Sequence, residues 1–340
     1  MISFKPKKVT KILIGGLKDR TRDILVQRYG LNDGSDAKTL EAIGQIYGIT
    51  RERVRQIENF ALNSIRKSPD FESVQDVFED LKSVISKKGG VVSELEFLDL
   101  LSGGGDSKNH IIFLLVLGED FTKFKEDQEF NHRWTIDYER AIAIHDILRR
   151  VHQKINEGDL ITDKVIVSYF DDHVKEILKE KISEDVVRTW LNLSRVIDSN
   201  ELGEWGLVAS NNVRPKGMRD FTFLVLRKHG SPMHFSEVAD SIKDLFDRSA
   251  HPATVHNELI KDDRFVLVGR GMYALKIWGY SSGVVRDVIK SVIERNGPLV
   301  QSDIVKHVLK ERYVKENTIL VNLRNNKHFK RHTDDTYHLA

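Results

Sequence analysis

Five side chains within residues 51–59 have the types and spacing to read a nucleic-acid base edge. Arg51, Glu52, Arg55, Gln56 and Asn59 fall at i, i+1, i+4, i+5 and i+8, so on a helix they project together from one face. In a major groove, arginine pairs with guanine O6 and N7, glutamine pairs with adenine, and glutamate accepts from cytosine N4. The same residue types at this spacing also make ordinary surface ion pairs. A second basic group, Arg324, Lys327, Lys330 and Arg331, suits phosphate contact.

The other candidate sites carry less. Ser102-Gly103-Gly104-Gly105-Asp106 lacks the Gly-Lys-Ser/Thr ending of a phosphate loop and reads as an inter-helix loop. His328, His332 and His338 cluster near the C-terminus, without a metal ligand's spacing. The pairs Asp171-Asp172 and Asp262-Asp263 read as caps or solvated charges at helix ends. Trp134, Trp205 and Tyr273 read as wing-strand core. Arg270, between two glycines, is the one residue among these other candidates allowed a DNA role. No cofactor, metal or small-molecule ligand is indicated, and no hydrolase or kinase signature appears, so the chain reads as a non-enzyme.

The elements around residues 51–59 favour base reading. In Leu40–Glu58, Leu40, Ile43 and Tyr47 share one helical face. Gly48 breaks the pattern where a tight turn needs a left-handed residue. Thr50 is a good N-cap for a second helix. Gly44 is small where the two helices touch, and Val54 and Ile57 pack back on the first. This is a helix-turn-helix pattern, with the five side chains outside, near the start of its recognition helix.

TLEAIGQIYGITRERVRQIENFALNSIRK, preceded by RTRDILVQRYGL, closely resembles region 4 of the bacterial sigma-70 family over about residues 15–68, most specifically at Gly48–Glu58. The resemblance implies a helix that reads the promoter −35 element and a segment that docks on the RNA polymerase β flap. By position, Arg51, Glu52, Arg55 and Gln56 become base and phosphate readers, and Thr50 and Arg53 support backbone contacts. Sigma factors place region 2, which melts the −10 element, before region 4. Here only about 14 residues precede the match and no aromatic-rich melting helix is seen, so the expectation is a borrowed region 4.

Beyond Lys67-Ser68-Pro69 one plan recurs four times: a helix, a Gly-containing turn with a short strand, two helices and a hairpin ending in an aromatic. Residues 219–277 give it most clearly, with helices over 221–228, 236–246 (capped by Ser236) and 253–261, and a hairpin around Gly269-Arg270-Gly271. The pattern T-V-x-x-x-L…R-F-x-x-x-G-x-G-x-Y-x-L resembles the HARE-type helix-turn-helix domain, a family that includes the N-terminal domain of the RNA polymerase delta subunit and modules of some restriction enzymes and chromatin proteins. Residues 284–340 repeat the plan with a basic third helix and wing. Two divergent acidic copies cover 72–136 and 139–209.

The expected architecture is a mainly α string of small helix-turn-helix and winged-helix domains with short β-hairpin wings: 1–68, 70–137, 138–212, 213–278 and 281–340. A net charge of +2 hides an uneven distribution. Residues 1–68 carry 14 Lys/Arg against 7 Asp/Glu, residues 286–332 carry 11 against 5, and residues 69–285 carry 28 against 37. Basic ends attract polyanions and an acidic middle is repelled by them. The chain has no cysteine, which excludes disulfides and thiolate chemistry and makes a reducing cytoplasm the expected compartment. No run is apolar enough for a membrane helix, and the N-terminus is a poor secretory signal. The leading reading is a regulator that binds double-stranded DNA and RNA polymerase. The alternatives are a polymerase-bound adaptor like the delta subunit, and an accessory or specificity subunit of a DNA-modifying system.

Overall fold

The computed structural model describes residues 2–103, 107–280 and 283–340. Residues 104–106 of the glycine-rich run, and residue 281 at the expected start of the last module, lie outside the described residues. Among the described residues the fold is mainly helical, with four small antiparallel sheets. The chain divides into two compact units, residues 1–209 and 210–340.

The first unit opens with α1 (Pro6–Gly15), α2 (Asp19–Tyr29), α3 (Leu40–Tyr47) and α4 (Arg51–Arg66). It continues through α5 (Pro69–Glu72), α6 (Gln75–Lys87), β1 (Val91–Ser93), α7 (Glu94–Ser102), α8 (Lys108–Leu117), β2 (Thr122–Phe124) and β3 (Arg133–Thr135). It closes with α9 (Tyr138–Lys154), α10 (Asp163–Ile177), α11 (Glu184–Leu191), β4 (Ile197–Ser199) and β5 (Trp205–Leu207). The second unit holds α12 (Met218–His229), β6 (Met233–His234), α13 (Phe235–Phe246), α14 (Pro252–Lys261), β7 (Phe265–Gly269) and β8 (Met272–Leu275). After a 3₁₀ turn come α15 (Val285–Asn296), β9 (Leu299–Val300), α16 (Gln301–Glu311), α17 (Glu316–Leu323), β10 (Phe329–Arg331) and β11 (Thr336–Leu339).

From α6 onward the helix, short strand, two helices and hairpin recur four times. Each time the short strand pairs with the returning wing strand at its aromatic: Val92 faces Trp134, Ile161 faces Trp205, Met233 faces Tyr273 and Leu299 faces Tyr337. All four aromatics are buried. A buried indole or phenol needs a partner for its polar edge, and in three copies the first residue of the next helix supplies it. Trp134 Nε1 donates to Glu94 at 2.7 Å, Trp205 Nε1 to Asp163 at 2.6 Å, and the Tyr337 hydroxyl to Gln301 at 3.4 Å. In the remaining copy that position is Phe235, whose ring lies against His256, which in turn meets the Tyr273 ring. The wing aromatic thus ties sheet to helix directly in three of the four copies.

The head is not packed on itself alone. Ile24, Ile43 and Val54 are fully buried together, with Leu40, Tyr47, Ile49 and Ile57 around them. A second core joins Leu25, Leu31, Ala61, Leu62 and Ile65 of the head to Val77, Phe78, Leu81 and Phe113. The helix break at Lys67–Pro69 is real, since Ser68 caps α5, but the apolar core runs across it. Arg66 donates to the carbonyls of Leu117 (2.9 Å) and Val116 (3.0 Å), which terminates α8. Asn109 donates to Gly30 O at 3.0 Å.

Two local expectations are corrected. α13 is capped by His234 rather than Ser236: the strand runs straight into the helix, so the last extended residue is His234, and its ring Nδ1 lies 2.6 Å from the Ser236 hydroxyl. Asp171 and Asp172 sit inside α10 rather than at its end, and Asp172 lies 3.7 Å from Lys154.

Candidate nucleic-acid interface

The turn between α3 and α4 follows from three residues. Gly48 closes α3 with φ +62°, the left-handed conformation that glycine adopts at low cost. Gly44 is needed for space, because a Cβ there would stand 2.6 Å from the Ile49 carbonyl oxygen. Thr50 is extended, and its hydroxyl accepts from Arg53 N at 3.2 Å, capping α4. Val54, Glu58, Ala61, Leu62 and Ile65 then take the buried stripe of α4.

What remains on the other side is the expected set. Arg51, Glu52, Arg53, Arg55, Gln56 and Asn59 are all exposed, as is Thr50. They are organised by their own contacts. Arg55 grips Glu52 with Nε (2.9 Å) and Nη2 (2.7 Å), and Arg53 Nη1 donates to Gln56 Oε1 at 3.0 Å. The Arg55 guanidinium holds the Glu52 carboxyl below its usual range, and Glu52 raises Arg55 in return. Both stay ionised near neutral pH, presenting an acceptor beside several donors.

Glu58 has a different task. Its buried carboxylate accepts from the Tyr29 hydroxyl (2.8 Å) and Arg28 Nε (3.2 Å), locking α4 to α2. The sequence did not point to Arg28 as part of the surface. With Thr39 and Arg51 it lines a shallow cleft of about 450 Å³ at the start of α3. The available signal was the pair of threonine caps, Thr39 and Thr50, that open α3 and α4.

The second basic group is exposed too. Arg324 follows α17, Lys327 precedes the wing, and Lys330 and Arg331 lie on β10. Arg331 is paired with Asp335 at 3.0 Å. The rings of His332 and His338 lie 4.0 Å apart, tilted by 32°. Among the described residues, no group of three His, Asp or Glu gathers as a metal site would require, and no helix is long and apolar enough to cross a membrane.

A capped second helix, a left-handed glycine turn and an outward row of exposed charged and polar side chains define a helix-turn-helix of the DNA-binding kind. Residues 13–67 match the family described as Sigma-70, region 4. The same stretch is similar to the RNA polymerase sigma factor SigA of Nostoc sp., 56% identical over 54 residues, which is 16% of this chain and 14% of that protein. SigA of Synechocystis sp. is 60% identical over 50 residues (15% and 12%), and the principal sigma factor HrdD of Streptomyces griseus 49% over 55 residues (16% of each). The chain thus spans under a fifth of the length of these relatives.

Proposed function

We propose that this protein is a DNA-binding transcription regulator that reads a −35-like promoter element through α4, in contact with RNA polymerase. The observation that carries the reading is the exposed row Arg51, Glu52, Arg55, Gln56 and Asn59 on a capped helix within the sigma-like region. Arg51, Glu52, Arg55 and Gln56 reach base edges or phosphates, Thr50 and Arg53 steady the approach to the backbone, and Arg324, Lys327, Lys330 and Arg331 add phosphate contacts. The polymerase surface we assign is the β flap. The test mixes the full chain with purified core polymerase and a promoter duplex, scoring co-elution and footprint. Protection centred on the −35-like element supports the reading; equal protection of a scrambled duplex removes it.

One observation favours a polymerase-bound adaptor as a second reading. A groove of about 480 Å³ in the first unit is lined by Glu94, Glu96, Glu126 and Asp198, which repels DNA and suits a basic protein surface. Co-elution with polymerase without any preference for the promoter duplex would select it.

A further inference from the structure

The wing formed by β7 and β8 turns at Gly269-Arg270-Gly271 and lies against the last module. A Cβ on Gly269 would stand 3.0 Å from the Tyr313 carbonyl oxygen, and the Arg312 guanidinium donates to the Leu267 carbonyl. Between wing and module lies a cleft of about 930 Å³, within the range of small-ligand sites. Arg270, Arg312 and Lys315 line it, and no carboxylate does so among the described residues. Arg312 is only 6% exposed. A charge is seldom buried so deeply without a structural or binding role. α17 starts at the rim with no side-chain cap on its first-turn amides, and Glu316 in that turn offsets their partial positive charge, so the positive character of the cleft rests on its side chains. Apart from Thr318, the other side chains of the lining are apolar or aromatic: Met272 and Val284 line the cleft, and Tyr313 is 57% exposed.

Cations beside an exposed phenol ring and aliphatic walls match an anion that carries a flat, weakly polar body. We propose that this cleft binds a nucleotide, with the base against Tyr313 and the phosphate toward Arg270 and Lys315, either as a free nucleotide or as one unit of a single-stranded nucleic acid. Duplex DNA does not fit this chemistry, because its base faces are covered by stacking and Tyr313 would go unused. An acidic peptide would satisfy the cations and leave the ring and aliphatic walls without a partner. The site lies in the second unit and α4 in the first, so it stands or falls independently of promoter reading.

The test uses the full chain with saturating unlabelled duplex to occupy the head, and measures anisotropy of a labelled oligodeoxythymidylate. Tyr313→Ala is expected to weaken binding about tenfold, as loss of one stacked base does, and Tyr313→Phe to retain it. Arg270→Ala and Lys315→Ala should each weaken binding and flatten its salt dependence, while Arg51→Ala changes nothing. Displacement by adenosine monophosphate identifies a free nucleotide as the ligand. Oligonucleotide binding that resists millimolar adenosine monophosphate identifies a single strand. The proposal is overturned if neither probe binds, if Tyr313→Ala binds like wild type, or if polyglutamate displaces the strand and adenosine monophosphate does not.

Discussion

Glu52 and Glu58 sit six residues apart on one helix and have opposite fates. Glu52 is exposed and held by Arg55, and such a pair contributes little to stability. Glu52→Ala should leave the unfolding midpoint nearly unchanged while altering which base is preferred. Glu58 is buried between Arg28 and Tyr29, so Glu58→Ala orphans two donors and should cost about 1–3 kcal/mol of stability. Denaturant titration of both variants separates the two roles, and equal losses would contradict the assignment. His145 gives a pH test. Burial, helped by Arg133 and Arg149, lowers its pKa to about 4, and its Nε2 accepts from Arg133 Nε at 2.8 Å. The folded state therefore refuses a proton that the unfolded chain accepts below about pH 6.5. This contribution is fully present above that pH and is lost as pH falls toward 4, by up to about 3 kcal/mol. Unfolding of residues 1–209 followed over that window should show a decline that His145→Gln reduces; an unchanged slope in the variant would contradict it.

Among the elements, the α3–α4 turn depends on steric detail. Gly44→Ala drives a methyl into the Ile49 carbonyl and should cost about 1–3 kcal/mol, and Thr50→Ala removes a cap worth about 1 kcal/mol. Thermal unfolding checks both, and a neutral Gly44→Ala would mean that the two helices can separate freely. A fragment ending at residue 68 should unfold more readily than residues 1–209, since it bares Leu25, Leu62 and Ile65; equal stability would contradict the shared core. These cases also mark what the sequence made legible. The turn and caps could be read because their cause is local: a left-handed glycine and a threonine before a helix. The exposed row on α4 could be read from spacing alone. The second half of α4 could not, because Ala61, Leu62 and Ile65 give the same apolar stripe whichever neighbour covers them. Nor could the bonds from Trp134 to Glu94 and from Trp205 to Asp163, whose partners lie about forty residues apart. Ser236 misled as a cap because strand and helix join there without a loop.

Across the whole molecule, the two compact units redraw the charge map. Residues 210–340 carry 22 Lys/Arg against 15 Asp/Glu, and residues 69–209 carry 17 against 29, so the acidity is confined to the first unit beyond its basic head. Each phosphate contact adds about 0.9 to the log–log salt slope on duplex DNA. The unit spanning 210–340 should therefore bind duplex with a steep slope and no sequence preference. Charge reversal of Arg324, Lys327, Lys330 and Arg331 should flatten that slope; an unchanged slope would place the contacts elsewhere. The preference itself should reside in α4. The most direct measurement compares the affinity of the full chain, wild type, Arg51→Ala and Glu52→Ala, for a −35-like duplex and for its scrambled counterpart at one salt concentration. Each substitution is expected to remove about 1–3 kcal/mol of discrimination while binding to the scrambled duplex changes far less. A preference left intact in both variants would contradict base reading by this helix.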